Sequence, residues 1–141
     1  MTHAKLTPSH LERKAFVYVR QSSPTQVQFN RESQELQYGL VHRAQQLGWP
    51  EASIVVIDED LGLSGTSSHH RKGFQFLVSE VSLGHVGIVI GTDASRLARN
   101  NRDWYNLLDF CALLDTLIAD CEGVYHPGEY NDRLLLGLKV M

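Results

Sequence analysis

Apolar and polar residues alternate along this chain in short blocks. Ala15-Phe16-Val17-Tyr18-Val19 is a continuous apolar run closed by Arg20, and it predicts a buried strand over about 15–20. A polar loop over 21–30 follows. Leu36, Leu40, Ala44 and Leu47 then recur at helical spacing and predict a helix over about 31–47. Gly48 ends it and Pro50 follows. A second strand is expected over 53–58, and a long loop of Gly, Ser, Thr and His over 61–70. Phe74, Leu77, Val78 and Val81 mark a helix over 72–83, ahead of a strand over 86–91. After a short polar loop, Trp104, Leu107, Leu108, Cys111 and Leu114 stripe a helix over 101–115. A thin strand over 117–119, a turn at Pro127-Gly128 and a helix from about Asn131 complete the chain, while residues 1–14 read as a flexible lead-in. Strands and helices alternate throughout. The expected fold class is therefore α/β, one domain with a mostly parallel central sheet and helices on both faces.

Composition narrows the function classes. The 141 residues suffice for one domain with a real core. No apolar run approaches the roughly 20 residues of a membrane span, and Met1 to Lys14 lacks the apolar stretch of a signal peptide. A cytoplasmic protein with no membrane partner is expected. The net charge of −3 and pI near 6.1 argue against tight DNA binding by this chain alone, because phosphate neutralisation dominates such affinity. Cys111 and Cys121 lack metal-type spacing, Asp58 and Asp60 have no third ligand at suitable spacing, and the seven histidines are scattered. No metal and no cofactor are expected.

Two segments carry candidate chemistry. Arg20, Ser22 and Ser23 lie where the first strand leaves the sheet, and open α/β sheets bind ligands outside the carboxyl ends of their strands. A serine hydroxyl beside guanidinium groups suits attack on a phosphate, since arginine donors match phosphate oxygens and neutralise developing charge. An ordinary polar exit from a strand would look similar. Directly after the third strand come Arg96 and Arg99, three apart, with Arg102 beyond them. Positive charge at a helix start opposes the helix dipole, and a bound anion would relieve it.

Tyr18, Arg20, Ser22, Ser23 and Gln26 together resemble the active-site signature of the serine site-specific recombinases, the resolvase/invertase family, with Gln21 in place of the usual small apolar residue. Ser95-Arg96-Leu97-Ala98-Arg99 resembles the family's second motif, Asp-Arg-Leu-x-Arg, with Ser95 where many members carry Asp. Arg71-Lys72-Gly73-Phe74 is similar to its Arg-x-Gly-hydrophobic segment, and Gln37 occupies a position like that of a family glutamine near the active site.

The resemblance implies a resolvase-type catalytic domain over 15–141, stopping at the start of its long C-terminal helix. It implies DNA cleavage and rejoining by Ser22 through a 5′-phosphoserine intermediate. Arg20, Arg71, Arg96 and Arg99 would hold the phosphate, with Gln26, Gln37, Tyr18 and Ser95 in support. It further implies DNA as partner and a homodimer that assembles to a tetramer on DNA in a full-length form, with little activity in residues 1–141 alone. Ser95 leaves the acid/base step without the family's carboxylate. The competing expectation is a catalytically silent dimerisation or regulatory module with the same fold.

Overall fold

The structure, a computed structural model, describes residues 5–19, 27–57, 72–91, 101–120 and 123–138, with the side chains of 27–36 and of residue 72 outside that description. Five strands form one sheet: β1 (Lys14–Tyr18), β2 (Ile54–Ile57), β3 (Val86–Ile90), β4 (Leu117–Ala119) and β5 (Val124–Tyr125), in the spatial order β2-β1-β3-β4-β5. The first four are mutually parallel, and β5 pairs antiparallel with β4 through Ile118–Tyr125 and Ala119–Val124. The expected fold class is therefore the one found. The short β5, which has too few residues to show a periodic pattern, was not expected.

Both faces of the sheet are covered, which explains why its central strands are almost wholly apolar. On one face Ala15, Val17, Ile88 and Ile90 pack with Leu40, Ala44 and Leu47 of α2 (Val27–Leu47). On the other, Phe16, Tyr18 and Val89 meet Phe74, Leu77 and Val81 of α3 (Lys72–Ser82). That second face is also covered by Trp104, Leu107, Leu108 and Cys111 of α4 (Asn101–Leu114) and by Leu136 of α5 (Tyr130–Leu138). Phe74, Leu77 and Val81 of α3 and Trp104, Leu107, Leu108 and Cys111 of α4 are buried as the spacing predicts, while Val78 and Leu114 are half-buried. Helix α2 begins at Val27, four residues earlier than expected, and its added first turn, Val27-Gln28-Phe29-Asn30, contains neither Gly nor Pro to oppose a helix.

The lead-in is a correction. Residues 5–13 are not a loose tail. Pro8–Leu11 forms a short helix, α1, with proline at its first position, where a missing N–H costs nothing. Leu11 packs on Gly48, and His10 is 1% exposed. The Arg13 guanidinium donates to the carbonyls of Val86 (2.9 Å), Leu114 (2.8 Å) and Asp115 (2.7 Å), so it closes the C-terminal end of α4 and the start of β3 together. In turn the Trp49 indole N–H donates to the Arg13 carbonyl at 2.9 Å. Apolar periodicity cannot announce a segment that docks through side-chain bonds to backbone carbonyls.

The docking needs Gly87. A Cβ there would lie inside contact distance of the His10 carbonyl oxygen and 2.9 Å from its carbon, both backbone atoms that cannot move aside alone. Gly87→Ala should lower stability by roughly 1–3 kcal/mol, the usual cost of an overpacked core position. Gly39 sits inside α2 with nothing within 4 Å of an added Cβ. Gly39→Ala should therefore raise stability by roughly 0.5–1 kcal/mol. Chemical denaturation of the two variants beside the parent checks both signs.

Candidate active site

Because β1 to β4 run parallel, their carboxyl ends share one edge of the sheet. At that edge the Val19 N–H donates to the Ile57 carbonyl (2.8 Å) and the Gly91 N–H to the Ala119 carbonyl (3.0 Å). Arg20 is the next residue after Val19, and Thr92 the next after Gly91. Strands β1 and β3 are direct neighbours, registered Ala15 to Ile88 and Val17 to Ile90. The two motif-bearing segments thus leave adjacent strands at the same edge, the arrangement that one shared phosphate requires. Arg20, Ser22, Gln26, Arg71, Ser95, Arg96 and Arg99 themselves lie outside the described residues.

Two of the expected site residues are described. Tyr18 closes β1 and is 3% exposed, in the core cluster with Phe16, Ile57, Phe74 and Trp104. Its ring packs beneath α3 and α4, so it supports the strand end that carries Arg20. Gln37 is half-buried on α2, three residues ahead of the buried Leu40. Since α2 returns against the direction of β1, that turn lies on the side towards the carboxyl edge. Tyr18 and the helix that carries Gln37 therefore lie on opposite faces of the sheet.

At the opposite edge the fold gathers a cluster that sequence spacing could not reveal. His10, Asp115 and His126 bring one donor atom each within 4.8 Å of one another. Two of the histidines scattered along the sequence thus meet in space. Their hydrogen bonds decide what the cluster is. His10 Nδ1 accepts the Thr7 N–H at 2.9 Å, and His126 Nδ1 accepts the Gly128 N–H at 3.1 Å. An amide can only donate, so both Nδ1 atoms are unprotonated and both protons sit on Nε2. Those N–H groups donate to Asp115 Oδ1, at 3.1 Å from His10 and 2.9 Å from His126. A metal-bound imidazole donates through its other nitrogen. Here the other nitrogen is an acceptor in both rings, so the donor set does not fit a metal. Asp115 sits at φ 56°, the left-handed position that ends many helices, and this turns its carboxylate under both rings.

Beside this cluster, Lys5 Nζ lies 2.8 Å from Asp132 Oδ2, and the His126 N–H donates to the same oxygen at 2.8 Å. Burial pushes the Asp132 carboxyl up, but the Lys5 and His126 hydrogen bonds and the charge of Lys5 outweigh it and hold the group below its ordinary value. Burial raises the Cys111 thiol far above the ordinary thiol range, against a smaller opposing effect of Arg133, which makes it an inert core residue. No helix among the described residues is long and apolar enough to cross a membrane.

Parallel strands that end on one edge, each followed there by a motif segment, make an α/β domain with a candidate site at the carboxyl ends of its strands. Comparison with known proteins supplies the family. The family described as "Resolvase, N terminal domain" matches residues 15–141, and the chain belongs to that family. An uncharacterized protein of Sinorhizobium fredii (strain NBRC 101917 / NGR234), y4bA/y4pH, is 59% identical over 135 residues. That match covers 96% of this chain, but the chain spans about a fifth (20%) of that protein's length. Among solved structures, the N-terminal catalytic domain of TP901-1 integrase superposes with a TM-score of 0.62 at 19% identity, covering 90% of this chain and 91% of that one. A resolvase family site-specific recombinase from Streptococcus pneumoniae gives 0.61 at 25% identity, covering 90% and 83%.

Two outcomes follow from these geometries. A large excess of Zn²⁺ should leave the melting temperature of the chain unchanged, whereas a ligand at a hundred times its dissociation constant would add about 2.7 kcal/mol. Differential scanning fluorimetry with and without the ion reads this. For Asp132, whose folded-state value is depressed, the stabilisation is fully present above the ordinary value of 3.8 and is lost as pH falls below it towards the folded value. Asp132→Asn should therefore be less stable than the parent at neutral pH, and the gap should narrow on acidification below about pH 4. Denaturation curves across that range measure it.

Proposed function

We propose that this chain is the catalytic domain of a serine site-specific recombinase, with residues 15–141 as the domain and DNA as its substrate. One observation carries the reading: β1 and β3 are parallel neighbours that end on one edge, and they deliver the two motif segments there. In this reading Ser22 Oγ attacks a DNA phosphodiester, a bond forms from Oγ to phosphorus, and the bond from phosphorus to the 3′ oxygen breaks. The serine gives up its proton and the 3′ oxygen leaves as a hydroxyl. The 5′-phosphoserine link keeps the phosphoester count constant, so reversal at an exchanged partner strand needs no ATP.

Arg20, Arg71, Arg96 and Arg99 would clamp the phosphate and stabilise the charge on its equatorial oxygens, the role a metal takes elsewhere. Gln26 and Gln37 would orient the loop and the phosphate, Tyr18 would brace the strand end, and Ser95 stands where the family's carboxylate would be. The active form is proposed to be a homodimer that pairs into a tetramer on DNA, in the cytoplasm. The silent dimerisation module is kept as the second reading because Ser95 replaces a candidate proton-transfer group.

In a form that carries a DNA-binding segment after residue 141, Ser22→Ala should abolish the covalent protein–DNA adduct, and Ser23→Ala should leave it intact. Denaturing gel analysis with mass spectrometry of the adducted peptide decides. An adduct on Ser23 would reassign the nucleophile, and none from the parent protein on its own recombination site would favour the silent module.

A further inference from the structure

We propose that residues 5–13, which lie ahead of the stretch matched by the family, act as a latch that holds the first turn of α5 on the domain. Three sets of contacts carry this. Lys5 Nζ donates to the Val124 carbonyl at 2.9 Å, pairs with Asp132 at 2.8 Å, and lies 5.9 Å from the centre of the Tyr125 ring. One ammonium group thereby binds β5 and the first turn of α5 together. His10 reaches the same region by another route, since Asp115 Oδ1 accepts from both His10 and His126, and the His126 N–H donates to Asp132. Arg13 fixes the base of the latch by binding the carbonyls at the end of α4. Asp132 is 6% exposed, and a buried carboxyl that loses a cation is expensive to keep in place.

Helix α5 needs such a hold because its own grip on the core is slight. Leu136 is fully buried, and its carbonyl accepts the Trp104 indole N–H at 3.1 Å. Arg133 pairs with Asp109 at 2.6 Å on the surface, where ion pairs contribute little. Tyr130, Leu134 and Leu138 are 80%, 53% and 54% exposed. An element with one buried apolar anchor and an uncovered apolar side belongs to the low-stability end of a domain, where local opening is set by a few contacts. The latch thus sets how often α5 detaches, independently of the rest of the fold and of whether Ser22 is the nucleophile.

Amide hydrogen exchange on the whole chain tests this. Lys5→Met keeps the aliphatic stem and removes the charge, and should speed exchange of the amides of 133–138 by about tenfold, the effect of one charge-assisted hydrogen bond. Amides of β3 should keep their parental rates. Equal rates in 133–138 for parent and variant would overturn the latch, as would a rise shared equally by α5 and β3. A chain beginning at Lys14 provides a second reading. If it folds, its α5 amides should exchange near the unprotected rate while β3 stays protected, and retained protection of α5 would count against the proposal. If it does not fold, the Lys5→Met comparison decides alone.

Discussion

The parallel pairing of β1 with β3 at the centre of the sheet is the constraint on which the rest depends. Both strands are covered on both faces, and Ala15, Val17, Val86, Ile88 and Val89 are wholly excluded from water. The three longest helices among the described residues take their positions from this pair: α2 from the side of Val17 and Ile88, α3 and α4 from that of Phe16 and Val89. A slip of one residue would exchange the two faces and expose both helix seams, so register is strongly fixed. The proposed phosphate site at the strand ends would need that rigidity, because two segments can bring arginines to one phosphate only if they start from fixed points.

The two edges of the sheet do different work. The carboxyl edge presents chain segments whose residue types suit a polyanion. The amino edge is closed by polar groups that satisfy one another: two imidazoles on one carboxylate, a lysine on another, and an arginine on three carbonyls. Buried polar groups are costly unless paired, so this edge is stable only when all its members are in place. A family model that starts at residue 15 therefore describes the sheet and the motif segments but omits part of what completes the domain here.

How much could be read in advance follows from the kind of signal each part carries. The strands β1, β3 and β4 and the buried faces of α3 and α4 were legible because short continuous apolar runs and apolar residues at period 3.6 are strong signals of buried strands and buried helix faces. The family was legible through the resemblance carried by Arg20 to Gln26 and Ser95 to Arg99, and the common edge of the strands ahead of them followed once those strands were taken as parallel. The amino-edge cluster was not legible. His10 and Asp115 are 105 residues apart and share no pattern, and a segment of His, Arg and Lys looks like a solvated tail. Thr7-Pro8 was the overlooked sign, a cap residue followed by a proline suited to a helix start. The early start of α2 at Val27 and the two-residue β5 were not legible for a simpler reason, since a single helical turn and a two-residue strand are too short to show a period.

The contact between Gly87 and the His10 backbone has a consequence for reading other sequences. It makes a single position in the third strand report on a segment some 75 residues earlier, because the N-terminal helix can rest there only against a bare backbone. A related chain with alanine or a larger residue at the equivalent place has no room for the segment in this pose, whatever its first residues look like. One with glycine there keeps the seat open. The absence of a side chain in a strand, where glycine otherwise weakens the structure, is thus a condition that the docked N-terminal segment imposes on the sheet.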